Sequence, residues 1–236
     1  MKKILLIIPA YNEEENILDT YNKIVKYNKK NKTNYDVVVI NDGSKDNTPK
    51  ILDENNINHI DLINNLGIGG AVQTGYKYAF YNGYDIAVQF DGDGQHDVSY
   101  VKDLIDPIIN EKANMTIGSR FIKKDNDNFK STFARRVGIN LISWKIKRLT
   151  KKKIYDTTSG FRAVDRKIIE LFSKDYPTEY PEPVSEVNVL KHKFKIEEVP
   201  VLMHERTGGK SSIHSWKNAY YMLNVFLAMN IESRGK

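Results

Sequence analysis

Ile86-Ala87-Val88-Gln89-Phe90-Asp91-Gly92-Asp93-Gly94-Gln95-His96-Asp97 is the stretch on which the reading of this chain turns. A short apolar run ends in two carboxylates two residues apart. Charges at the end of a buried strand are costly unless a cation or a set of donors meets them. A hard divalent cation bound to a diphosphate suits such a pair, because Mg²⁺ or Mn²⁺ is held by one or two carboxylates plus substrate phosphates. Asp and Gly are also ordinary turn residues, so Asp91-x-Asp93 alone leaves an acidic turn and a metal site both open.

Working outward, short apolar runs alternate with helical patterns. Ile4 to Ile8, Val37 to Ile40, Ile60 to Ile63, Ile86 to Phe90 and Met115 to Gly118 read as strands. Glu13 to Lys29, Thr48 to Asn55, Gly69 to Tyr81 and Val101 to Asn110 read as helices between them. Continuously apolar strands separated by helices predict an α/β fold: a mainly parallel, Rossmann-like central sheet with helices on both faces. Ligands bind beyond the strand C-termini in such sheets. Four polar motifs fall there: Pro9-Ala10-Tyr11-Asn12-Glu13, Asn41-Asp42-Gly43-Ser44, Asn64-Asn65-Leu66-Gly67 and Asp91-Gly92-Asp93. One such strand end is a turn, whereas four on one edge form a site.

The second half is less regular. Lys123 to Lys130 reads as a polar loop, Phe133 to Leu149 as an amphipathic helix and Thr157 to Arg162 as a turn or strand entry. Val184 to Lys191 reads as a helix, Ile196 to Leu202 as a strand and Ser215 to Ile231 as a final helix. The expected division is a main domain over 1–212 and an amphipathic helix over 213–236 that docks on a membrane, a partner or its own domain.

Composition sets bounds. The 236 residues suit one large domain with a real core, and the absence of cysteine excludes disulfides and thiolate metal sites. The basic start and short apolar run Ile4 to Ile8 read as a first strand rather than a signal peptide. Tyr220 to Ile231 is too short and too polar to span a membrane, so the chain is expected in the cytoplasm. Net charge is +6, and Lys145 to Lys153 holds six basic residues and no acidic one. That cluster suits anionic lipid, an anionic substrate or plain solvation. Nucleic acid is not the expected partner, because the basic residues do not interleave with a stacking platform.

Ile8-Pro9-Ala10-Tyr11-Asn12-Glu13-Glu14, Asn41-Asp42-Gly43-Ser44-x-Asp46-x-Thr48, Asn65-Leu66-Gly67-x-Gly69 and Asp91-x-Asp93 together resemble the family 2 glycosyltransferases of GT-A fold. Within them the chain is similar to the dolichyl- and polyprenyl-phosphate sugar synthases and their bacterial relatives. Gly118-Ser119-Arg120, Thr158-Ser159-Gly160-Phe161-Arg162 and Arg206-x-x-Gly209-Lys210-Ser211-Ser212 extend the match over nearly the whole chain.

The resemblance implies an inverting, metal-dependent hexosyl transfer from a nucleotide diphosphate sugar, with UDP first and GDP or dTDP as alternatives. The acceptor it implies is polyprenyl phosphate at the inner face of the plasma membrane. Pro9, Ala10, Tyr11 and Glu13 would wall the nucleoside, Gly67, Gly92 and Ser159 would also bind substrate, and Gln95 would lie beside the metal site. Asp42 can accept hydrogen bonds from the base or ribose. Asp91 and Asp93 would hold Mg²⁺ or Mn²⁺. Arg120 and Arg206 are candidate phosphate clamps, because a guanidinium fork matches phosphate oxygens. Lys210 would add a point charge, and Arg135 or Arg136 would meet an anionic acceptor. Asn41, where the family often has Asp, ranks below Asp42.

A hydroxyl acceptor needs a positioned base, which a lipid phosphate does not. Glu182 and Glu186 are the candidates for that base, or else helix-start glutamates favoured by the dipole. Two alternatives follow: a saccharide hydroxyl acceptor in cell-wall or capsule assembly, and a non-catalytic nucleotide-sugar-binding subunit of a membrane complex. His96 reads either as a neighbour supporting the acidic motif or as a surface histidine.

Overall fold

The computed structural model describes residues 2–92, 94–122, 133–203 and 217–234, with backbone alone at 133–135 and 217–221. The central strand, β1 (Ile4–Ala10), is apolar along its length because both of its faces are covered. Leu5 and Ile7 join one core layer, and Ile4, Leu6 and Ile8 join the other. Around it run β2 (Tyr35–Asn41), β3 (His59–Asp61), β4 (Ile86–Gln89), β5 (Met115–Ser119), β6 (Arg162–Asp165) and β7 (Ile196–Pro200), in the order β3-β2-β1-β4-β6-β5-β7. Among the described strands, only β6 is antiparallel to its neighbours, β4 and β5.

One face is covered by α1 (Ile17–Asn31), α2 (Thr48–Glu54) and α4 (Val101–Ile109), through Ile17, Ile24, Leu52, Leu104 and Ile105. The other is covered by α3 (Gly67–Tyr81), α5 (Phe133–Thr150), α6 (Arg166–Lys174), α7 (Pro181–Lys191) and α8 (Lys217–Arg234). This is the covered, mainly parallel sheet that the sequence predicts. Gly69 marks one close approach: a Cβ there would stand 2.4 Å from the Pro177 and Thr178 carbonyl oxygens, so only Gly lets α3 meet the chain leading into α7.

Three local readings change. The first helix begins at Ile17, because the Tyr11–Glu14 segment is spent on contacts to the next loop. Residues 162–165 form the antiparallel β6, and α6 follows directly with Asp165 accepting from the Ile168 N–H as its N-cap. Ile63, expected in a strand, lies past the end of β3 and is exposed. The segments 123–130 and 204–216, with the expected domain boundary at 212/213, lie outside the described residues. Among the described residues, α8 buries Val225 and Met229 in the core formed with α5 and α7.

Register fixes what meets at the functional edge. Ala10 pairs with Asn41, and Gln89 pairs with both Ile7 and Arg162. The ends of β1, β2 and β4 therefore deliver Tyr11, Asp42 and Asp91 to one edge. Because β6 runs the opposite way, its entry loop, Thr158 to Phe161, starts at that same edge.

Candidate active site at the sheet edge

A cleft of about 1230 Å³ opens along this edge. Pro9, Ala10, Tyr11, Glu13, Asp42, Gly67, Asp91, Gly92 and Glu182 line it, which brings together nine of the candidate site residues read from the sequence. Two loops build its first wall by bonding to each other. The Asn12 N–H donates to Ser44 Oγ at 3.0 Å, the Glu13 N–H to Thr48 Oγ1 at 2.9 Å and the Glu14 N–H to Asp46 Oδ2 at 3.1 Å. Glu14 in turn accepts from the Asn47 N–H at 2.9 Å and from its side chain at 2.7 Å. The two motifs are thus halves of one hydrogen-bonded unit, and Ser44, Asp46 and Thr48 serve as its fasteners.

Asp42 Oδ1 accepts from the Leu66 N–H at 2.7 Å, just before the N-terminus of α3. Burial pushes its carboxyl up, and the backbone donors of Leu66 and Gly67 pull it down. Asn41 is buried away from the cleft, donating to Asp61 Oδ1 at 2.6 Å and accepting from the Ser44 N–H at 3.2 Å. It shapes the turn.

Asp91 forms the opposite wall, with its side chain 31% exposed to the cleft. The backbone of Gly160 leaves the space around it: a Cβ there would stand 2.9 and 3.0 Å from the two carboxylate oxygens. The hard oxygen donors of Asp91, oriented by His96 and open to a diphosphate-sized cleft, fit a divalent cation that completes its shell with phosphate. Asp93, the second expected ligand, lies outside the described residues, as do Arg206 and Lys210.

Several expected roles are corrected. Arg120 is not a lining residue. Its guanidinium donates to Asp156 at 2.7 Å through both Nε and Nη2 and to Thr158 Oγ1 at 3.0 Å, and it is 7% exposed. That fork is spent on the loop beneath the cleft rather than on a phosphate. Ser159 is also turned inward, with its hydroxyl accepting from the Phe161 N–H at 3.3 Å, while Thr158 and Gly160 line the cleft on either side of it. Glu186 lies wholly inside the core, where Oε1 accepts from Arg162 Nη2 at 2.7 Å and Oε2 has no partner among the described residues. It therefore does not face a substrate. Gln95 sits half-buried beyond the acidic turn and outside the lining, and Arg136 is exposed near the start of α5. The Arg135 side chain is not described.

Glu182 does line the cleft. Burial raises its carboxyl, Arg162 opposes the rise, and the nearby Asp91 charge adds to it. Two residues that the sequence did not single out hold this arrangement. Arg162 donates to the carbonyls of Ser159 at 2.7 Å and Glu182 at 3.0 Å and to Ser185 Oγ at 2.9 Å, tying the Thr158–Phe161 loop to the first turn of α7. Asp156 anchors Arg120. The signal for Arg162 was its place in Thr158-Ser159-Gly160-Phe161-Arg162, but strand polarity was needed to see that its side chain points inward.

Residues 5–172 match the family model "Glycosyl transferase family 2". The chain is 36% identical over 219 residues, 85% of each chain, to a UDP-N-acetylglucosamine--dolichyl-phosphate N-acetylglucosaminyltransferase of Methanococcus voltae. It is 26% identical over 237 residues, covering 90% of this chain and 81% of the relative, to a polyprenol monophosphomannose synthase of Mycolicibacterium smegmatis. Among solved structures it superposes on glucosyl-3-phosphoglycerate synthase from Mycobacterium tuberculosis, bound to Mn²⁺, UDP and glucosyl-3-phosphoglycerate, with a TM-score of 0.70 and 16% identity. That overlay covers 98% of this chain and 80% of the other. With the four strand-end motifs gathered on one cleft, these matches make the chain a GT-A-fold glycosyltransferase belonging to glycosyl transferase family 2.

Proposed function

We propose that this enzyme transfers a sugar from a nucleotide diphosphate sugar, with UDP as the nucleotide, to a polyprenyl or dolichyl phosphate at the cytoplasmic face of a membrane, with inversion at the anomeric carbon. The observation that carries the donor half is the convergence of Asp42 and Asp91 on opposite walls of one cleft. Asp42 is the acceptor for the nucleoside, and Asp91, with Asp93, the holder of Mg²⁺ or Mn²⁺. When bound, the cation would neutralise charge developing on the leaving diphosphate. Pro9, Ala10 and Tyr11 pack the nucleoside and exclude water from it.

The acceptor half is supported by the relatives named for dolichyl and polyprenyl phosphate. It is also supported by the withdrawal of Glu186 into the core, which removes one of two candidate bases. A phosphate monoester attacks as an anion and needs no proton removed; the anomeric C–O bond to the nucleotide breaks as the new C–O bond to the lipid phosphate forms. One observation favours a second reading. Glu182 lines the cleft with a raised carboxyl, which would suit a base for a saccharide hydroxyl.

Glu182→Gln separates the two. With a lipid-phosphate acceptor it changes kcat by no more than a few fold. A loss of about 10²-fold or more in kcat, with donor affinity unchanged, assigns Glu182 as a base and the acceptor as a hydroxyl.

A further inference from the structure

No helix among the described residues is long and apolar enough to cross a membrane, yet two adjacent helices carry large apolar side chains on their outward faces. On α5, Ile139, Ile142, Ser143 and Ile146 are buried, while Val137, Leu141 and Trp144 are 43, 45 and 53% exposed. The spacing 137, 141, 144, 148 puts these three and Arg148 on one stripe. On α8, Val225 and Met229 are buried, while Leu223, Leu227 and Ile231 are 59, 51 and 72% exposed. Their spacing of four makes a second stripe. The helices touch: a Cβ on Gly138 would stand 3.7 Å from Met222 Sδ, and Lys145 Nζ lies 6.0 Å from the Phe226 ring centroid. Six of the sixteen large exposed hydrophobics among the described residues therefore fall on one helix pair, too many together for the scatter of a solvated surface.

The rim of this face is basic. Lys145, Lys147, Arg148, Lys151, Lys152 and Lys153 have no acidic residue between them in sequence. Arg148 lies 5.6 Å over the Trp144 ring, and Lys153 lies 4.2 Å over Tyr155, itself 47% exposed. Trp and Tyr prefer the boundary between headgroups and acyl chains. Lys and Arg rest their stems on apolar surface and keep their charge among the headgroups.

We infer that the outward face of the α5–α8 pair is a docking surface for a bilayer carrying anionic lipid. Charge decides between occupants. A second copy of the same face would bring two basic rims together, whereas anionic headgroups neutralise them. The location serves the proposed acceptor: Asn224 on α8 donates to Tyr180 Oη at 3.4 Å, and Glu182, two residues on, lines the cleft. The inference is tested without that reading, because vesicle binding needs neither donor nor acceptor.

The test is cosedimentation of the full chain with phosphatidylcholine vesicles, with and without phosphatidylglycerol, at low and high salt. The wild type should pellet with the anionic vesicles and be partly released by salt. The triple substitution W144S/L223S/L227S, at positions already exposed, should lower the partition coefficient by about tenfold or more with the melting temperature retained. K147S/R148S/K151S should abolish the preference for phosphatidylglycerol. Equal pelleting by wild type and both variants, or no pelleting at all, would overturn the assignment. So would a concentration-dependent dimer that the apolar triple abolishes, since the face would then belong to a second copy.

Discussion

Both ring nitrogens of His96 are directed at Asp91. Nδ1 accepts the Asp91 backbone N–H at 2.9 Å, and Nε2 stands 3.4 Å from Oδ2 of the same residue. An accepting Nδ1 places the proton of the neutral ring on Nε2, so the N–H points at the carboxylate. The ring is stacked on Phe161 with centroids 4.5 Å apart and meets Phe90 edge-on at 5.4 Å. A single buried side chain thus fixes both the backbone and the carboxylate orientation of a residue that lines the cleft.

His96→Phe keeps the aromatic packing and removes both polar contacts. Partners that orient a metal-holding group are worth about 10- to 100-fold in affinity. We expect Mn²⁺ affinity, read by titration calorimetry in the presence of the nucleoside diphosphate, to fall within that range. Unchanged affinity would reduce His96 to a packing residue.

Gly160→Ala tests the space around Asp91. The new methyl would stand 2.9 Å from a carboxylate oxygen, so the oxygen must move. We expect donor turnover to drop by about tenfold or more while the far-UV spectrum is retained. Near-normal turnover would show that the carboxylate has room to spare.

Arg120 separates a buried brace from a phosphate clamp. Its pair with Asp156 has side-chain exposures of 7 and 0%, and breaking a buried pair by removing one partner costs about 3–5 kcal/mol. Arg120→Met should lose that much in urea denaturation. A donor KM rise with no loss of stability would restore the clamp.

Glu186 predicts a pH dependence of stability. Burial pushes its carboxyl from the ordinary 4.5 up to about 8, against the pull of Arg162. The folded state binds this proton more tightly than the unfolded state. The stabilisation is therefore full below about 4.5 and is lost as pH rises through about 8. Glu186→Gln keeps an oxygen for Arg162 and removes the titration, so the melting temperature of the variant should fall less over that window. Parallel curves for the two proteins would contradict it.

The sheet and the donor wall were legible because each rests on local chemistry. Runs such as Ile4 to Ile8 are apolar at every position only when both faces are covered, and Pro9, Asp42 and Asp91 follow directly where those runs stop. The second half was not legible in the same way. Arg120 and Glu186 carry the right functional groups, but whether each faces substrate depends on a partner distant in sequence: Asp156 for Arg120 and Arg162 for Glu186, whereas Ser159 is turned inward by its own tight turn onto the Phe161 N–H. Arg162 hinges on the polarity of β6, which a four-residue strand does not announce. The ambiguity of His96 was likewise settled by Phe90 and Phe161, which pack on it from just past the end of β4 and just before the start of β6.

The most direct test of the proposed activity is transfer by the purified chain with Mn²⁺ and UDP-GlcNAc, UDP-glucose, UDP-galactose, GDP-mannose and dTDP-rhamnose. Each donor is assayed with and without a short polyprenyl phosphate, and product is read as glycosylated lipid phosphate. The account predicts turnover of a UDP-sugar that appears only when the lipid phosphate is present and is lost in Asp91→Asn. Donor binding without lipid-dependent turnover, alongside transfer to a saccharide hydroxyl, would contradict it.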